Sequence, residues 1–278
     1  MTQEITLPVA ELKQALPGFS KLISKSRTLP VLQSVRVQRD AQGIVTIEGT
    51  DLDAHVAYRL KDTQAGKPVE VLVPFDTLTK TAKGSSETLT LIPDGKDKIR
   101  LRYHIGNSPV EQRISCLETK EWPPAPRITA PLVALDPHFG ATLKEALQCA
   151  SDDSSRPVLH GACLDVTDPK AHYVVGTNGR VLFAANSFGF DLKQSVIIPA
   201  SKFLAWNGFL TEDGCQLAVQ NDPKDKQQAG WVQLRTPRWT YTARQIEGNY
   251  PNWKQAVPAL TANGATLKLS PAAIEMRK

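Results

Sequence analysis

Between residues 9 and 23 the apolar side chains Val9, Leu12, Leu16, Phe19 and Ile23 recur at helical spacing. They predict one amphipathic helix, which Pro17 should kink or interrupt. Three runs with strand-like alternation follow, VLQSVRVQR, GIVTIEGT and HVAYRL. The pattern then restarts: VEVLVP reads as a strand, residues 75 to 83 as a helix, and LTLIP, KIRLRY and EQRISCL as three more strands. The same order of strand, helix and three strands recurs over 133 to 187 and 195 to 257. Helices this sparse among antiparallel strands predict an α+β fold, with sheets covered on one face by helix pairs.

The words repeat as well as the rhythm. Pro-Val-Leu at Pro30 returns at Pro157, and Gly49-Thr50 returns as Gly176-Thr177, each 127 residues later. VLVP ending at Pro74 returns as VIIP ending at Pro199, and EWP at Pro123 returns as NYP at Pro251. Leu12-Lys13-x-Ala15-Leu16 matches Leu143-Lys144-x-Ala146-Leu147 at an offset of 131, a difference that a few residues of loop would absorb. Five anchors in one order predict a duplicated domain. The proline-rich stretch WPPAPRITAPL marks the boundary, so the first copy is placed at 1–128 and the second at 129–259. ATLKLSPAAIEMRK at 265–278 has the look of EITLPVAELKQ, so 260–278 reads as the beginning of a third, truncated copy.

Composition narrows the class without naming a chemistry. A chain of 278 residues with 41% hydrophobic and 22% charged residues is that of a folded, water-soluble protein of two ordinary domains. The start, MTQEITLPVAEL, lacks the basic flank and apolar core of a signal peptide. Cys116, Cys149, Cys163 and Cys215 are scattered, which fits reduced thiols in the cytoplasm rather than a disulfide frame or a zinc site. The histidines are dispersed, and neither a glycine-rich phosphate loop nor a G-x-S-x-G elbow occurs.

Charge is the more telling signal. The four predicted helix regions hold Lys13, Lys21, Lys25 and Arg27 against Glu11, Lys80 and Lys83 against Asp76, Lys144 against Glu145, and Lys202 alone. Their surplus of five equals the formal net charge of the whole chain, +5. A polyanionic partner is permitted, although lysines also suit the solvated face of any surface helix.

The segments RTLPVLQSV with GIVTIEGTDLD, SRPVLHGACLDV with YVVGTNGRVLFA, and ARQIEGNYPNWKQAVP resemble, in that order, signature segments of the bacterial DNA sliding clamp, the beta subunit of DNA polymerase III. The resemblance covers nearly the whole chain. It implies a ring of six similar domains, sheets outside and helices lining a hole for double-stranded DNA. It also implies a processivity factor without catalysis or cofactor, tethered by topology. Lys13, Lys21, Lys25, Arg27, Lys80, Lys83, Lys144, Arg156 and Lys202 become candidate DNA contacts. The family docks short peptides of polymerase and clamp-loader subunits in a groove on the second domain. Matched by motif, its wall here is Leu159, Thr177, Gly179, Arg180, Val181, Leu182 and Pro251.

Some positions depart from the family pattern. Thr-Asp-Gly-His-Arg-Leu is Thr177-Asn178-Gly179-Arg180-Val181-Leu182 here, a commonly basic residue is Gln255, and a basic pair is Ala200-Ser201. These changes bear on peptide specificity and on one DNA-contact patch. Family rings join the first domain of one chain to the third of the next, so this chain is expected to be a monomer or a weak, open oligomer. A stable closed ring would favour three two-domain chains instead. The competing class is an enzyme on the clamp fold, using Asp51 with Asp53, or Asp152 with Asp153, for metal-assisted hydrolysis.

Overall fold

The computed structural model describes residues 3–23, 29–85, 87–210, 214–221 and 230–258. Lys25, Arg27 and the third-copy segment lie outside them. The first copy opens with β1 (Ile5–Pro8) and α1 (Val9–Phe19), followed by β2 (Ser34–Arg39), β3 (Val45–Thr50) and β4 (Ala54–Arg59). Its second half is β5 (Val69–Pro74), α2 (Phe75–Gly84), β6 (Thr88–Pro93), β7 (Lys98–Ile105) and β8 (Ser108–Ser115). The second copy repeats the plan with β9 (Val133–Ala134), α3 (Phe139–Gln148), β10 (Gly161–Asp165), β11 (His172–Thr177) and β12 (Leu182–Phe188). It ends with β13 (Val196–Pro199), β14 (Gln216–Gln220), β15 (Trp231–Arg235) and β16 (Trp239–Arg244).

Proline sets the strand-to-helix corners. Pro8 and Pro74 each close a strand in extended conformation and sit directly before a helix, where the missing N–H costs nothing. Helix α1 runs through Pro17 and ends two residues later, short of the predicted 23. Looser turns carry the chain on, with the Ser20 hydroxyl donating to the Pro17 carbonyl at 2.6 Å. The buried face of α1 is Val9, Leu12, Ala15, Leu16, Gly18 and Phe19.

The expected fourth helix, after β13, does not form. Residues 202–210 are turns, held by bonds such as Ala205 N–H to the Ser201 carbonyl and Phe209 N–H to the Trp206 carbonyl. Asn207-Gly208 interrupts the run, and the Trp206 ring lies so close over Gly208 that a Cβ there would stand 2.1 Å from it. Phe203, Leu204 and Phe209 remain buried. The segment is core without being helix.

The strands form three antiparallel sheets. β1-β6-β7-β8 and β12-β11-β10-β13 have four strands each, while β5-β2-β3-β4-β16-β15-β14-β9 has eight. The eight-stranded sheet passes from the first copy to the second through β4 and β16, with Val56 opposite Tyr241. Trp239 sits at this joint within 5.5 Å, centroid to centroid, of Phe19, Tyr58, Phe203 and Trp206. The joint is tight: a Cβ on Gly18 would meet the Trp206 ring at 2.6 Å. Glu11 of α1 adds a polar tie, accepting from the Arg238 guanidinium at 2.9 Å and from the Lys61 N–H at 3.0 Å.

Candidate functional site

Two features were anticipated, a cationic helix face and a groove on the second copy. On the first, Lys13 and Lys21 are exposed on α1 and the turn after it, and Lys83 is exposed at the end of α2. None of these three makes an ion pair among the described residues. The Glu11 carboxylate that opposes them in sequence is turned into the domain joint, 16% exposed, so it does not cancel their charge at the surface. Lys80 pairs with Asp76 at 2.6 Å one helical turn away. Lys144 on α3 is half-buried, and that burial lowers its pKa. Lys202 is exposed on the turn that replaces the fourth helix. Arg156 is exposed in the loop after α3, 3.9 Å from Asp153.

Five of the anticipated groove residues, Thr177, Gly179, Arg180, Val181 and Leu182, lie on or beside one turn. Between β11 and β12 the Thr177 hydroxyl donates to the Val181 carbonyl at 2.6 Å and accepts the Gly179 N–H at 3.0 Å. The Asn178 side-chain oxygen accepts the N–H groups of Arg180 and Val181. Gly179 at φ +86° takes the left-handed position. The turn between β3 and β4 is built alike: the Thr50 hydroxyl donates to the Ala54 carbonyl and accepts from Leu52, and Asp51 accepts the Ala54 N–H. There Leu52 holds the left-handed place at φ +81°. The shared Gly-Thr-Asx phrase is therefore a strand-turn-strand corner stated twice.

That corner presents Val181 and Leu182 to solvent, 51% and 36% exposed, an unusual pair of apolar side chains at the surface. Arg180 is exposed beside them, and the Arg156 guanidinium lies against Gly179, 3.0 Å from where a Cβ would stand. Leu159 is buried, 4% exposed, as core. Pro251 is carried by the segment after β16, which crosses the sheet face not covered by α3. Ile246, Tyr250 and Trp253 of that segment pack on Cys163, Val175 and Ile197.

The anchor of that segment was missed in the sequence. Trp253 donates its indole N–H to the Asp165 carboxylate at 2.8 Å, and Thr167 donates to the same carboxylate from both its N–H and its hydroxyl. Burial raises the Asp165 pKa, but these hydrogen bonds and the charge of Lys254 bring it below the usual carboxylate value. A tryptophan two positions after the Tyr-Pro pair was the available signal. Beside it a surface cavity of about 850 Å³ opens between Asp165, Lys193, Ser195, Tyr250 and Trp253. Pro251 is the one anticipated groove residue on its wall.

One member of each acidic pair, Asp51 and Asp153, acts as a turn former. Asp51 caps the β3–β4 corner as described, and its pKa is raised mainly by burial. Asp153 accepts both the N–H and the hydroxyl of Ser155. Among the described residues no three His, Cys, Asp or Glu side chains gather as metal ligands would. Ser201, where the family commonly has a basic side chain, accepts the Leu204 N–H and caps the turn after β13. The thiols of Cys163 and Cys215 are buried and pushed up to about 12. No helix among the described residues is long and apolar enough to cross a membrane.

Solved structures share this architecture. The DNA polymerase sliding clamp of Bacillus subtilis superposes with a TM-score of 0.76 over 93% of this chain and 68% of that one, at 16% identity. A Pseudomonas aeruginosa sliding clamp bound to griselimycin does so at 0.76, over 94% and 69%, at 19% identity. The fold is the DNA clamp fold. In sequence the chain is similar to the bacterial beta sliding clamp, at 20% identity to that of Streptococcus pneumoniae over 88% of this chain. The Pseudomonas putida protein is 22% identical over 91% of it. The chain spans 65% of the length of the S. pneumoniae protein. No family model matches it.

Proposed function

We propose that the chain is a sliding clamp of the bacterial type, a non-enzymatic processivity factor of DNA replication in the cytoplasm. Its domains are 1–128 and 129–259, with a third beginning at 260. The observation that carries this reading is the uncompensated cationic surface of α1 and the turn after it, Lys13 and Lys21 in the open with Glu11 drawn into the joint. Lysines on a helix face neutralise phosphates without reading bases, which suits a tether that must travel along any sequence. Lys25, Arg27, Lys80, Lys83, Lys144, Arg156 and Lys202 extend the contact. The Val181–Leu182 corner with Thr177, Gly179, Arg180 and Pro251, floored by Leu159, receives the clamp-binding peptides of polymerase and clamp-loader subunits.

Fluorescence anisotropy with two unrelated duplexes tests the DNA half. Both should bind weakly and alike, and affinity should fall steeply between low and physiological salt. A variant with Lys13, Lys21, Lys25 and Arg27 all changed to Glu should lose binding. Unchanged affinity in that variant would take the helices off the DNA surface.

A further inference from the structure

The only acid of the first helix is held by a side chain of the other copy. Arg238 stands in the turn between β15 and β16, fixed to the end of β4 by the Arg59 N–H, which donates to its carbonyl at 2.8 Å. From there its guanidinium donates to Glu11 of α1 at 2.9 Å, and the Lys61 N–H donates to the same carboxylate oxygen at 3.0 Å. Glu11 and Arg238 are 16% and 27% exposed. Glu11 lies two positions before Lys13, on another side of α1, and three before Gln14, its exposed neighbour along the helix surface. A carboxylate freed on that flank would border the surface that carries Lys13.

We propose that Arg238 is a positioning residue for DNA binding, acting through Glu11. It holds the one carboxylate of α1 in the joint between the copies, so that the lysine face stays uncompensated. A second-copy side chain then sets the charge of a first-copy surface. The inference rests on the proposed clamp reading and adds to it a dependence on the closed joint.

The repeat supplies the comparison. At the spacing of 131 that relates α1 to α3 and the β7–β8 hairpin to β15–β16, Glu11 corresponds to Thr142 and Arg238 to Asn107. The pair therefore belongs to this joint and is no general feature of the repeated unit. At the same spacing Lys13 corresponds to Lys144 and Gln14 to Glu145, which is exposed. Helix α3 displays beside its lysine the acid that α1 conceals. The concealment depends on Arg238 for a physical reason: a carboxylate so little exposed needs partners in place of the water it gives up, and only one of its two partners carries a charge. Without the guanidinium a single backbone N–H remains, and the side chain would turn out to water beside Gln14. There it would act on phosphates held at Lys13, since a charge is felt over about 8 Å at physiological ionic strength and farther in dilute salt.

Duplex binding at low salt, followed by anisotropy, tests this with a cycle of four full-length chains: unaltered, Arg238→Gln, Glu11→Gln and the double variant. With Glu11 present, Arg238→Gln should weaken binding about threefold or more, the size expected of one unit charge brought within a Debye length of the phosphates. In the Glu11→Gln background the same change should cost clearly less, because only the charge of Arg238 itself is then lost. Equal costs in the two backgrounds would make Arg238 an ordinary positive charge and overturn the proposal. Arg113→Gln removes the same net charge and breaks the 2.7 Å pair with Asp94 on β8, yet it should leave affinity nearly unchanged. A loss there as large as that of Arg238→Gln also overturns the proposal. Gln14→Glu leaves the joint intact and sets a carboxylate on the exposed flank, so it should weaken binding as Arg238→Gln does. Unchanged affinity in Gln14→Glu refutes the inference even where Arg238→Gln is too unstable to assay. An unaltered chain that binds no duplex sinks the clamp reading and this inference with it, whereas binding with equal costs around the cycle sinks this inference alone.

Discussion

A single residue distinguishes the two copies of the strand corner. Leu52 and Gly179 occupy the same left-handed position, and for a side chain with a Cβ that conformation costs roughly 1–2 kcal/mol. Gly179→Ala should therefore lower stability by about 1 kcal/mol, read as a shift in the denaturation midpoint, with Arg156 displaced from the corner. His55, next along from the first corner, supplies a second test. Burial first, and the charge of Arg36 second, lower its pKa to about 4, well below its ordinary 6.5. The folded protein holds the ring neutral while the unfolded chain protonates near the ordinary value. Stability that is fully present above pH 6.5 should then be lost as pH falls toward 4. In His55→Gln the loss between pH 7 and pH 5, followed by thermal melting, should be smaller.

At the scale of elements the proposed groove centres on the corner between β11 and β12, while Pro251 lies on the segment anchored by Trp253. Enclosed hot-spot side chains are worth roughly 2 kcal/mol or more, but here Val181 and Leu182 stand open to water. A clamp-binding peptide with glutamine, leucine and phenylalanine anchors should bind more weakly than about 10 micromolar, a free energy of roughly 7 kcal/mol. Leu182→Asp, at an exposed site that should not disturb folding, should abolish the remainder in a calorimetric titration. Nanomolar binding, or binding indifferent to that change, would put the peptide elsewhere. Much of the fold was legible in sequence, because strand period, proline corners and the Gly-Thr-Asx phrase act within a few residues of themselves. The fourth helix was expected from the recurring order of elements, whereas the Trp206 ring packed over Gly208 goes with a backbone of turns. The Asp165–Trp253 anchor joins residues 88 apart in the chain, and no local pattern announces it.

Across the whole molecule the decisive bond pattern is also the least local. Nothing in HVAYRL or in WTYTAR says that they pair, yet their ladder makes one sheet of two domains. The repeat could not anticipate how the two copies are fastened, since that depends on side chains such as Trp239 meeting partners from both. At ordinary concentrations native mass spectrometry should find a monomer or small open assemblies. A stable closed ring would point to three two-domain chains.

The eight-stranded sheet has a consequence for the peptide link itself. If β4 and β16 with the tryptophan plug fasten the domains, the proline-rich connection is not what keeps them together. A protease site placed between Pro126 and Ile128 should yield, once cut, two fragments that still travel as one particle on a sizing column. Trp239→Ala, which should remove roughly 3–5 kcal/mol from the joint, should let the cut halves part. The covalent thread would then serve chiefly to deliver two pieces in equal number to a seam that they can keep closed unaided.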